Sequence, residues 1–153
     1  MSALPRLKPA GGISSVAVVP AGSAAVGSPA AIAAAAEPVP LVDERSSYEE
    51  ICDSSDGIVR VEHRLTIAVP LDYARSRFGD EECRMWASAG TAAIVETVAG
   101  ERLAVGWSER LGSEQPLRLV RMEISTGTSP REIPAAVLTF RSVDGSQAVR
   151  IQD

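Results

Sequence analysis

The sequence predicts a mainly β, α+β protein: a single antiparallel β-rich domain with one helix at about residues 80–90, preceded by an extended N-terminal arm. Three observations carry this expectation. Residues 1–42 hold only three charges (Arg6, Lys8 and Glu37), no aromatic residue and six of the chain's ten prolines. From Asp43 onward charges of both signs appear and apolar residues begin to alternate, the mark of half-buried strands. One stretch, following Gly79, has the charge placement of a helix start. The expected division is an Ala/Pro-rich arm over 1–42 and a β-rich body over 43–153.

Within the arm, residues 9–36 are uncharged, which raises the question of a membrane span. A spanning helix needs about 20 strongly apolar residues. This stretch is built of Ala, Gly and Ser and is broken by Pro20 and Pro29, so no membrane partner is expected. A leader peptide fits somewhat better, with Arg6 and Lys8 ahead of a small-residue site near Ala34-Ala35-Ala36. Read as an arm, the segment buries too little to offset its ordering entropy and takes its shape from neighbouring subunits.

The body begins with an acidic stretch, Asp43 to Asp56. Ser46-x-x-Glu49 and Ser47-x-x-Glu50 match a capping box and predict the start of a short helix there. Residues 58–69 predict a strand: Val59, Val61, Leu65, Ile67 and Val69 share one face with His63, while Arg60, Glu62, Arg64 and Thr66 occupy the other. Pro70 ends it. Asp80, Glu81 and Glu82 then place negative charge in a first helical turn, where the helix dipole favours it. Cys83, Trp86 and Ala87 line the inner side of that helix and Gly90 closes it. Thr91–Val98 and Arg102–Arg110, joined through Ala99-Gly100, read as a hairpin. Further strands are expected at 116–124 and around Ala136, Leu138 and Phe140. Asp144-Gly145 is expected to turn into a terminal strand carrying Val149 and Ile151, as a second hairpin.

Composition limits the chemistry. Aromatic content is 4%, so the core rests on Val, Leu, Ile and Ala, and oligomer contacts are a natural supplement. The body holds thirteen arginines against nineteen acids, which excludes a basic arm that packs nucleic acid; local Arg patches could still touch it. Cys52 and Cys83 lack the paired spacing of a zinc site and read as two reduced, buried thiols. His63 is the sole histidine, and a histidine on an alternating strand usually serves as a hydrogen-bonded core residue. Asp53-Ser54-Ser55-Asp56-Gly57 lacks EF-hand spacing and reads as a solvated acidic turn. Trp86 and Trp107 sit at apolar-face positions. No enzyme activity, cofactor or metal is therefore expected.

What remains is an interface. Arg75 and Arg77 flank Asp80, Glu81 and Glu82, and with Trp86 they form the candidate subunit contact, where arginines and acids of neighbouring copies meet. The resulting expectation is a self-assembling structural protein: a small viral or phage coat protein, or a capsid-cement protein, located in the virion and partnered by copies of itself. Two alternatives are a soluble, cytoplasmic ligand-binding or adaptor domain with a disordered tail, and an exported enzyme or toxin that works through His63.

Overall fold

The computed structural model describes residues 12–20, 28–42, 45–107, 116–126, 130–131 and 133–151. In chain order the elements are β1 (Ile13–Pro20), α1 (Pro29–Ala35), β2 (Glu37–Val39), β3 (Ser47–Ser55), β4 (Ile58–Pro70), α2 (Leu71–Arg77), α3 (Asp80–Ser88), β5 (Thr91–Thr97), β6 (Arg102–Val105), β7 (Arg118–Ser125), β8 (Ala135–Asp144) and β9 (Val149–Arg150). They form two antiparallel sheets, one ordered β2-β1-β5-β6-β9 and the other β3-β4-β8-β7. The described residues are mostly β with three short helices; the class is the expected one, but α1 and α2 stand beside the single helix expected at about 80–90.

The composition break at Asp43 is not a break in the fold. β1 lies between β2 and β5, with Val16 opposite Val39 on one side and opposite Val95 on the other. The segment expected to be an extended arm thus supplies two strands and a helix to the first sheet. The lack of charge in β1 has a physical reason: from Val16 to Val19 both of its faces are covered. Val16 and Val18 turn toward the core between the sheets, while Val19 packs beneath α1 with Ile32, Ala92, Ile94 and Ala104. α1 is capped by Ser28, whose side chain accepts a hydrogen bond from Ala31 N at 3.1 Å, and Pro29 opens the helix. Alanines on this helix let it approach the sheet closely enough to bury Ile32 completely.

Residues 40–42 and 45–46 lie between β2 of the first sheet and β3 of the second. Val42 N donates to Ala68 O at 2.8 Å, and Ala68 N donates to Ser46 Oγ at 3.0 Å, so Val42 and Ser46 are held at the edge of β4. The capping-box matches at Ser46 and Ser47 do not start a helix. Ser47–Ser55 is strand β3, paired with β4 over its whole length. Between the sheets, Leu65, Ile67 and Val69 of β4 and Leu138 and Phe140 of β8 face Val95, Leu103 and Val105. α2 and α3 close one side, with Trp86 edge-on to Phe78 (ring centroids 4.6 Å apart) and tilted against Phe140 (5.4 Å).

At one corner the two sheets are joined. Thr91 and Leu117 exchange both backbone hydrogen bonds, at 2.8 and 2.9 Å. Gly106 stands beside this corner at φ +85°, and a Cβ there would lie 2.8 Å from Thr91 O. Gly90, at φ +80°, would bring a Cβ to 2.6 Å from Leu117 O. Glycine is required at both positions, by conformation and by space. The terminal strand also departs from expectation. β9 pairs with β6 in the first sheet rather than folding back on β8, so Asp144-Gly145 leads into a crossover, not a hairpin.

Candidate functional site

β3 and β4 form the longest hairpin, in register from Ser47↔Thr66 to Ser55↔Ile58. Its turn is Asp56-Gly57, with φ of 56° and 78°, the two left-handed residues that a tight two-residue hairpin turn demands. β8 accompanies β4 only as far as Val61↔Asp144. Residues 51–60 therefore project past the second sheet, and all ten are exposed. Three are large and apolar: Ile51 (43% exposed), Ile58 (57%) and Val59 (52%). Residues opposite one another across an antiparallel pair share a face. Ile51 and Ile58 thus extend the outer face of the sheet, while Val59 and Cys52 extend the inner face beyond Val61 and His63.

The root of this hairpin is held by a polar cluster. His63 is 4% exposed. Its Nδ1 lies 2.7 Å from the Tyr48 hydroxyl, and its Nε2 donates to Ser146 O at 2.9 Å. The same hydroxyl lies 2.8 Å from Glu50 Oε1, which also accepts from Ala148 N at 3.0 Å. Tyr48 has a single hydroxyl hydrogen, which it donates to the Glu50 carboxylate. The cluster joins β3 to the loop between β8 and β9 and sets the direction in which the hairpin leaves the body. Both ring nitrogens of His63 are engaged in these contacts, a structural use of the residue that the exported-enzyme alternative assigned to catalysis. Beside the cluster is a groove of about 310 Å³ lined by Tyr48, Glu50, Glu101 and Arg150, in which Arg150 pairs with Glu101 at 3.1 Å.

Burial, then the hydrogen bond to the Glu50 carboxylate, pushes the Tyr48 phenol well above its ordinary value. The folded state therefore holds this proton more tightly than the unfolded chain does. The stability it contributes is complete below about pH 10 and falls as the pH rises further, by about 1.4 kcal/mol per pH unit while only the unfolded state ionises. Tyr48→Phe is expected to flatten the decline in melting temperature above pH 10 relative to the wild type. An unchanged alkaline slope would contradict the burial of this hydroxyl.

On the outer face, Glu62 receives Arg64 at 2.6 Å and Arg141 at 3.3 Å, and these guanidinium groups hold its carboxyl below the usual carboxylate range. Glu49 and Asp53, on the same face, have no ion pair within the chain among the described residues.

The six residues of the expected subunit contact are not gathered into one patch. Arg77, Glu82 and Trp86 line a groove of about 260 Å³ with Tyr73 and Phe78, and Arg77 pairs with Glu37 of its own chain at 2.8 Å. Arg75 faces a separate apolar slot with Leu71 and Ile133. Asp80 and Glu81 stay exposed in the first turn of α3. Trp86 belongs to the core, a correction that follows from its packing against Phe78 and Phe140. The expectation of two buried thiols also changes. Cys52 is exposed on the hairpin and Cys83 is half-buried, its Sγ donating to Phe78 O at 3.3 Å. Burial, reinforced by Asp80 and Glu82, pushes the Cys83 thiol up. Among the described residues no group of three His, Cys, Asp or Glu side chains could hold a metal ion, and no helix is long and apolar enough to cross a membrane.

Comparison with known proteins finds no matching family model, no matching curated protein and no matching solved structure. Sequence reasoning missed the projecting hairpin and the Tyr48–Glu50 part of its root. The signal that could have found them is Asp56-Gly57 itself, flanked by β-compatible runs.

Proposed function

We propose that this protein is a self-assembling structural subunit, of the small coat or capsid-cement class, whose neighbours are engaged through the β3–β4 hairpin. The observation that carries the reading is that projection: ten consecutive exposed residues held in a regular ladder, with Ile51, Ile58 and Val59 uncovered. A two-stranded ribbon with no face buried is marginal in water. Burying a side chain of this size against a neighbour contributes about 1.5–3 kcal/mol. Each contact is modest, and repetition over many copies makes it cumulative. The virion is the place such a subunit would act, and the partner is another copy of the chain. Nucleic acid is a poor fit to the outer face of the second sheet, because Arg64 and Arg141 are committed to Glu62 and Arg121 to Glu123.

Light scattering coupled to sizing chromatography, with negative-stain microscopy, tests this. The wild type is expected to form species well above one chain's mass that grow with concentration. The triple variant Ile51→Ser, Ile58→Thr, Val59→Thr is expected to keep its melting temperature and lose those species. A wild type that stays a single chain at every concentration would remove the assembly reading.

A further inference from the structure

The two free edges of the second sheet differ in a way that selects a partner. Its order is β3-β4-β8-β7, and among the described residues no strand pairs with the outer side of β3 or of β7. Every pairing within it is antiparallel, so with four strands the two edges run in opposite directions. When the β7 edge of one copy is set beside the β3 edge of the next with both sheets the same way up, the new pair is again antiparallel and the sheet continues across the junction. The edges are similar in length, nine residues on β3 and eight on β7.

Their charges point the same way. β3 carries Glu49, Glu50 and Asp53 and no base. Glu50 is turned into the polar cluster, while Glu49 and Asp53 stay exposed. β7 carries Arg118 and Arg121 against Glu123. Arg121 reaches Glu123 at 2.8 Å and Arg118 Nε donates to Ser88 O at 3.2 Å, both exposed interactions that leave a net positive edge. Pairing β3 with β3 sets like charges opposite one another and pairing β7 with β7 joins two net-positive edges of mixed sign, whereas pairing β3 with β7 sets a wholly acidic strand against a net-positive one. The apolar residues exposed along the two strands, Ile51 on β3 and Val120 and Ile124 on β7, supply surface to bury at the same junction. Val120 is the extra residue of a bulge at which β7 bends, with free edge on either side of it.

Resting on the assembly reading above, we propose that copies of this chain join head to tail by edge pairing, β3 of one against β7 of the next. Such a contact is heterologous. It propagates until a rotation closes it into a ring, or it continues as a filament, and it does not stop at a two-fold dimer.

Charge exchange tests the pairing. Glu49→Arg with Asp53→Arg, and separately Arg118→Glu with Arg121→Glu, are each expected to reduce the assembled fraction at least tenfold in light scattering, with circular dichroism and melting temperature retained. The chain carrying all four changes is expected to regain it. A second readout is independent of charge. In a Cys83→Ser background, Ile124→Cys places a thiol on β7, on the same inner face of the sheet as Cys52 (Ile124 lies opposite Ala136), to pair with Cys52 of a neighbour through a short bismaleimide. A ladder of dimer, trimer and higher products is expected from Ile124→Cys, and little product from Cys52 alone. If the wild type assembles but charge reversal leaves its size unchanged, or if Cys52 alone links into dimers and nothing larger follows, head-to-tail pairing is wrong and the assembly reading survives. If the wild type never exceeds one chain, both are wrong.

Discussion

A chain that begins at Asp43 is expected not to fold. Such a truncation removes β1, α1 and β2, and with them the buried residues Val16, Val19, Ile32, Val39 and Val42. At about 1.5–3 kcal/mol for each side chain of this kind, the loss is on the order of 10 kcal/mol, comparable to the entire stability of a typical domain. It also strips β5 of its partner along Ile13↔Thr97 to Pro20↔Thr91, leaving an interior strand with open hydrogen-bonding groups and Ala92 and Ile94 bare of α1. Circular dichroism of the truncated chain should show reduced β signal and no cooperative melt. An extended arm would give the opposite result, a body that folds normally and differs only in how it assembles.

Trp86→Ala is expected to lower stability by about 3–5 kcal/mol, the range for removing a large aromatic side chain from a core. In a chain of this size that corresponds to a fall in melting temperature on the order of 10 °C. Trp86 stands at the junction of α3 with the second sheet, between Phe78 and Phe140, and its loss leaves a void that three separate elements border. Trp86→Phe should lose a smaller part of this, because it keeps an aromatic contact with Phe140. The measurement is a thermal melt of dilute protein, where subunit contacts contribute little. A residue at a subunit contact, the role first expected of Trp86, would leave that melt unchanged and alter only the concentration dependence of size.

Much of the body was legible in the sequence because its period was clean. Val61, Leu65 and Ile67 alternate with charged or hydroxylated neighbours as far as Thr66, and β4 runs on through Ala68 and Val69 to Pro70. Asp80–Glu82 mark the start of α3, and Ala99-Gly100 mark the β5–β6 turn. The first forty residues misled for a physical reason. A strand covered on both faces needs no charged or polar alternation, so β1 shows the same absence of charge as an exposed, structureless tail. The capping-box pattern at Ser46 and Ser47 failed because local propensity is weak against a long ladder: β3 has nine residues in register with β4. The crossover of β9 to β6 is a tertiary choice that no local pattern encodes. At the candidate site, His63 was legible as a hydrogen-bonded core histidine on an alternating strand. Its partners Tyr48 and Glu50 were hidden by the helix expected over the same residues.

Hydrogen–deuterium exchange of the full chain, compared between dilute and concentrated solution, tests the central claim most directly: β1, α1 and β2 belong to the fold and the β3–β4 hairpin is a surface left for neighbours. The amides of Val16 to Val19 should be protected at both concentrations, and those of Ile51 to Arg60 should gain protection only when the protein is concentrated. Fast exchange across β1 in dilute solution, slowing only on assembly while the hairpin does not change, would contradict it.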